Sequence, residues 1–141
     1  MLNRAAIAAL IPHAGRMCLL DEVLSYTPVE AICASHSHLL ADHPLRRDGQ
    51  LSALHLIEYA AQAAAVHGAL TASADAPREA GLLAAVRGVE LAVSRLDDLP
   101  DSLHLCVRRV AANPQGRIYR FEARAGERLI GSGSLVIIVE R

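Results

Sequence analysis

The chain has 141 residues and contains no lysine, no tryptophan, one phenylalanine and three tyrosines. All 14 of its basic residues are arginine, so a Schiff-base or catalytic-lysine mechanism is excluded. With so few aromatic rings there is no aromatic-lined pocket to read. Charge of one sign is also lacking: the formal net charge is −1. Nothing in that balance suggests bulk nucleic-acid or membrane-surface binding. The three cysteines, Cys18, Cys33 and Cys106, are odd in number, widely spaced and set among apolar neighbours. They read as small core or sheet residues in a reducing compartment, not as a disulfide or zinc framework. No apolar run approaches the roughly 20 residues of a membrane span. The first ten residues lack the charged start and cleavage site of a signal peptide, so the expected location is cytoplasmic. The length suits a single domain, 1–141.

What is present falls into a clear order. Asn3 is placed to cap a short helix that Pro12 stops. Cys18–Ser25 and Glu30–Ser37 read as two strands joined by a turn at Tyr26-Thr27-Pro28-Val29. Residues 39–50 form a long polar loop, and a long loop inside a small domain often has a task. Ser52 can cap a helix over about 53–70, rich in Ala and Leu and apolar on nearly every face, which marks it as buried. Gly68 reads as the beginning of its end, and 71–77 as a flexible connection. From Gly81 the pattern turns to strands: a run over 82–96, then 103–111, 117–125 and 129–139. The last three are joined by short turns in an antiparallel meander. An α+β fold follows, with one curved antiparallel sheet and one long helix burying each other.

Within that helix Glu58 stands out. A carboxylate in an apolar setting is costly to bury, its pKa is pushed upward, and a carboxyl tuned toward neutrality suits proton transfer. Against this stands the plain alternative that Glu58 bonds a loop backbone or an arginine. His36 and His38 alternate with Ser35 and Ser37, so on a strand they share a face. With His43 they could hold a metal, but no carboxylate or cysteine completes a ligand set, and none is expected. His55 precedes Glu58 by three residues and so tunes it, lines a tunnel, or packs in the first turn. The amides of that turn, around Leu54, are free to receive a carbonyl oxygen. Gln62, one turn beyond Glu58, can hold its carboxylate or pair with backbone. Tyr59 faces away from Glu58 and reads as a packing or interface residue.

Three stretches carry a resemblance. Leu10-Ile11-Pro12-His13 with Met17-Cys18-Leu19-Leu20-Asp21-Glu22-Val23 is similar to the opening of bacterial 3-hydroxyacyl-(acyl carrier protein) dehydratases. Leu56-Ile57-Glu58-Tyr59-Ala60-Ala61-Gln62-Ala63 resembles their Glu-x-x-Ala-Gln central helix, and 126–133 their final hairpin. Asp42-His43-Pro44-Leu45-Arg46-Arg47-Asp48-Gly49, Ala65–Leu70 and Arg95-Leu96-Asp97-Asp98-Leu99-Pro100 narrow the likeness to dehydratase-like proteins of aryl-polyene-type clusters.

The resemblance implies a hotdog fold, usually dimeric, acting on acyl groups tethered to acyl carrier protein, with no cofactor. It implies Glu58 as one member of an acid–base pair whose histidine comes from across the dimer. The family's Gly-His-Phe-Pro histidine has its nearest counterpart in His43, one residue farther from the helix carboxylate and without the Gly and Phe; His38 competes with it. It implies that the helix start polarises the thioester carbonyl, with His55, Leu54 and Gln62 lining the substrate. Arg46 and Arg47, with Arg78 in another loop, would steer an acidic carrier protein. His13 matches a family position but reads as structural. The expectation is a homodimeric dehydratase of 3-hydroxyacyl thioesters. Its alternatives are a hotdog thioesterase and a catalytically degenerate subunit that stabilises a dehydratase partner in a heterodimer.

Overall fold

The computed structural model describes residues 1–12, 15–72 and 80–140. His13 and Arg78, and most of the connection expected at 71–77, lie outside these. Helix α1 (Arg4–Leu10) starts where the Asn3 side chain accepts the Ala6 amide at 3.0 Å, as its capping position predicts. Two residues before it, Leu2–Asn3, pair as a short strand β1 with β2 (Glu22–Tyr26), an addition too brief for any sequence pattern. β2 continues into β3 (Glu30–Ser35). β3 ends two residues earlier than the Ser-His alternation predicts, because Ser37–Leu39 coils into a 3-10 turn. The turn separates the fates of two histidines: His38 is fully buried, whereas His36 is exposed. They do not share a strand face.

A 3-10 turn at Ala53–His55 leads into helix α2 (Leu56–Thr71), which runs through Gly68 without ending there. Ser52 caps the turn by accepting the Leu54 amide at 3.2 Å. Then follow β4 (Ala80–Leu91), β5 (Leu103–Asn113), β6 (Gly116–Ala125) and β7 (Arg128–Glu140). The seven strands make one antiparallel sheet in the order β1-β2-β3-β5-β6-β7-β4. Strand β4 is therefore an edge of the sheet.

One sheet face, with Leu103, Leu105, Val107, Tyr119, Phe121 and Leu135, closes on Leu56, Tyr59, Ala60, Ala63 and Val66 of α2. The approach is close. A Cβ on Gly131 would lie 2.9 Å from Leu56 Cδ1, so any larger residue there would make the Leu56 side chain shift. The expectation of an all-buried helix needs one correction. Ile57, Glu58, Ala61 and Ala65 form a half-exposed stripe, since one sheet covers only one side of a helix.

Candidate active site

Glu58 sits in the first turn of α2, on the open stripe, and is half-buried instead of sunk in the core. Gln62, one turn further on, is fully buried and bonded at every turn. Its Oε1 accepts the Leu19 amide at 2.8 Å, and its Nε2 donates to Met17 O at 2.7 Å and to Glu58 Oε1 at 3.3 Å. Both readings of Gln62 hold together, because the amide that ties α2 to the 17–19 segment also orients the carboxylate.

The histidines divide sharply. His43 is buried, with Leu45 N donating to its Nδ1 at 3.1 Å and its Nε2 3.1 Å from Tyr59 Oη. An amide N–H on Nδ1 requires a lone pair there, so the proton of the neutral ring is on Nε2 and is donated to Tyr59. Tyr59 Oη lies 2.6 Å from Ser37 Oγ, which donates to Leu19 O at 2.8 Å; Ser35 Oγ reaches the same carbonyl at 2.5 Å. Burial is the main cause lowering the His43 pKa to about 4, helped by the charges of His55 and Arg46. Tyr59 thus packs in the core with its ring, as expected, while its hydroxyl, pushed up to about 12 by burial, is the centre of a polar spine. Sequence reasoning missed this second role. The only local signal was a tyrosine directly after the helix glutamate.

His38 takes a different arrangement. Its Nε2 lies 2.9 Å from Leu99 O, and Nδ1 is buried without a partner among the described residues. Burial lowers its pKa. Neither His38 nor His43 uses a ring nitrogen on Glu58 within the chain. His36 bonds Ser102 Oγ at 2.8 Å, outside this cluster. Among the described residues no group of three or more His, Cys, Asp or Glu is placed to hold a metal ion.

Beside the helix start lies an open cavity of about 350 Å³, lined by Leu45, Arg47, Gln50, Ser52, His55, Ser94 and Arg95. It brings together two of the expected residues, Arg47 and His55, and joins them to Ser94 and Arg95, which the sequence reading did not single out. Leu54 is 60% exposed beside it. The amides of this turn are not free, contrary to expectation. Ala53 N donates to Ser94 O at 3.0 Å, Leu54 N to Ser52 Oγ, and His55 N to Ser52 O at 3.1 Å. A carbonyl oxygen would have to displace one of these bonds. Arg46 is also committed, donating to Gly49 O at 2.9 Å and His38 O at 3.0 Å. Of the two loop arginines, Arg47 alone faces the cavity.

A curved antiparallel sheet wrapped around one long helix is the hotdog fold. The heterocomplex described as the dehydratase heterocomplex ApeI:P from Xenorhabdus doucetiae superimposes with a TM-score of 0.81 over 96% of this chain and 91% of that one, at 19% identity. The thioesterase HI1161 from Haemophilus influenzae matches over 100% and 92%, with a TM-score of 0.69 and 9% identity. A hypothetical thioesterase from Streptococcus pneumoniae TIGR4, solved with coenzyme A, covers 84% of each chain at 0.62 and 12%. No curated protein sequence matches. The model of the ApeP-like family, ApeP dehydratase, matches residues 5–140. The chain belongs to the ApeP-like dehydratase family.

Proposed function

We propose that this chain works in the dehydration of 3-hydroxyacyl thioesters carried on acyl carrier protein, in the cytoplasm, with Glu58 as one of the two reacting groups. One group removes the C2 proton, the C–H electrons form the C2=C3 double bond, and the C3–O bond breaks. The second group protonates the departing oxygen, so that an enoyl thioester and water result. The observation that carries this reading is the carboxylate of Glu58, half-exposed on the open stripe of α2 and oriented by a fully buried Gln62. An imidazole is the natural second group. The cavity at Arg47 and His55 would receive the carrier arm, with Arg47 as its cationic rim. The test is turnover of a 3-hydroxyacyl-carrier-protein substrate. Glu58→Gln lowers it by about 100-fold or more if the carboxyl transfers a proton. Release of free acid and thiol instead of enoyl thioester would replace this reading with a thioesterase.

The association reading starts from β4. As an edge strand it leaves Leu82, Leu83 and Val86 exposed at 52%, 41% and 38%. A second hotdog subunit pairing along β4 would cover them and bring its own helix beside this one. Either a second copy or a non-identical subunit satisfies that surface. The bonding of His43 favours the second.

A further inference from the structure

We propose that this chain supplies a carboxyl but no working imidazole, so that in a heterodimer one acid–base pair operates, made of Glu58 and a histidine of the other subunit. The proposal rests on the dehydratase reading and adds a division of labour to it. A histidine that removes a C2 proton needs a bare lone pair facing the substrate and its other nitrogen protonated. His43 has the reverse arrangement. The Leu45 amide occupies the lone pair on Nδ1, and the proton on Nε2 is donated into the buried Tyr59 hydroxyl. Tyr59 then donates to Ser37 Oγ, and Ser37 to Leu19 O, so each hydrogen along the spine has one acceptor. Turning the ring would put a C–H against the Leu45 amide and strand two buried polar groups. Leu45 and Tyr59 therefore act as positioning residues that hold His43 out of the reaction.

His38 does not replace it. Its Nε2 is anchored on Leu99 O, and its bare Nδ1 is closed off from solvent, beside an Arg46 guanidinium that donates to the same residue's carbonyl. Burial first, and that cation in small part, disfavours taking up a further proton. Glu58 lies on the half-exposed stripe of α2, while the His43 ring sits in the 39–50 loop and bonds into the buried spine. The two halves of an acid–base pair are thus not brought together within the chain. A paired subunit with a free histidine completes one site; two copies of this chain complete none.

Two measurements test this. In the first, the ring nitrogens of the intact chain are read by long-range ¹H–¹⁵N correlation. His43 should show an unprotonated Nδ1 and a protonated Nε2, and Tyr59→Phe should move its Nε2 signal. A protonated Nδ1 with bare Nε2 overturns the proposal. In the second, turnover of a 3-hydroxyacyl-carrier-protein substrate is followed for the chain alone and for the chain mixed with the ApeI chain of the Xenorhabdus complex. The ApeI chain is used both as wild type and with any carboxyl residue of its central helix replaced. The chain alone should be inactive and both mixtures active, with Glu58→Gln lowering the second mixture by about 100-fold. Turnover by the chain alone, or loss of it when only the ApeI carboxyl is replaced, overturns the division of labour. Silence of every mixture counts against the dehydratase reading itself, and the ring-nitrogen spectrum then still decides whether His43 is locked.

Discussion

His38, His43 and His67 are three imidazoles buried to within a few per cent of full enclosure in so small a chain. Each is held neutral, with burial as the main cause of a lowered pKa. His67 repeats the His43 pattern at the other end of α2, bonding Tyr119 Oη at 2.8 Å and Thr27 O at 3.0 Å. Because the folded pKa lies below the unfolded one, near 6.5, the unfolded chain binds more protons as the pH falls. Their stabilising contribution is complete above about pH 6.5 and is lost on acidification. For His43 the window runs from 6.5 down to about 4, with a total of about 3 kcal/mol at 1.4 kcal/mol per pH unit. Urea denaturation at pH 7.5, 6 and 5 should show a steadily falling midpoint; a flat profile would mean these rings are already charged. Tyr59→Phe deletes the acceptor for His43 Nε2 and the partner of Ser37. A cost of about 1–3 kcal/mol is expected at pH 7.5, measured in the same way.

Among the elements, the start of α2 is held by a clasp with the segment after β4. Leu96 N donates to Leu51 O at 2.7 Å, and Ala53 N to Ser94 O at 3.0 Å. Asp97 closes it, accepting the Leu51 amide at 2.8 Å and gripping Arg95 in a two-pronged ion pair. The bond from Arg95 is the main cause holding its carboxyl well below the usual range. Asp97→Ala leaves the Leu51 amide buried and unpaired, and should lower stability by about 2 kcal/mol. The loss should be accompanied by faster amide exchange at 51–56 than at the far end of the helix; uniform exchange would deny the clasp its local role. The Arg95-Leu96-Asp97-Asp98 stretch was legible as a family feature, but its function as a clasp was not, since Leu51 is far away in sequence. The same limit explains the other differences. The Asn3 and Ser52 caps and the meander of β5, β6 and β7 follow from local pattern, and they were read correctly. The early end of β3 depends on Ser37 finding Leu19 O and Tyr59, and local alternation in Ser35–His38 points the other way. Glu58 was legible as the odd charge in an apolar helix, whereas its half-exposure depends on which side of the helix the sheet leaves bare.

At the scale of the whole molecule, the single chain is unfinished along one side. Strand β4 ends the sheet and its hydrophobic side chains stand in solvent, while Ile57 and Glu58 lie on the stripe of α2 that the sheet leaves uncovered. The surface areas involved are those of apolar residues that natural monomers avoid leaving on an exposed strand edge. Leu83 and Val86 pair with Ile137 and Leu135, so they stand on the helix-facing side of the sheet, where a partner would pack. Replacing both with lysine leaves the β4–β7 ladder intact but places two like charges at the centre of any interface. Sedimentation equilibrium of the chain mixed with the ApeI chain of the Xenorhabdus complex should show a mixed complex at micromolar concentration, and the double variant should bind at least 10-fold more weakly, with unchanged far-ultraviolet circular dichroism. If the variant associates as well as the wild type, pairing runs through some other face.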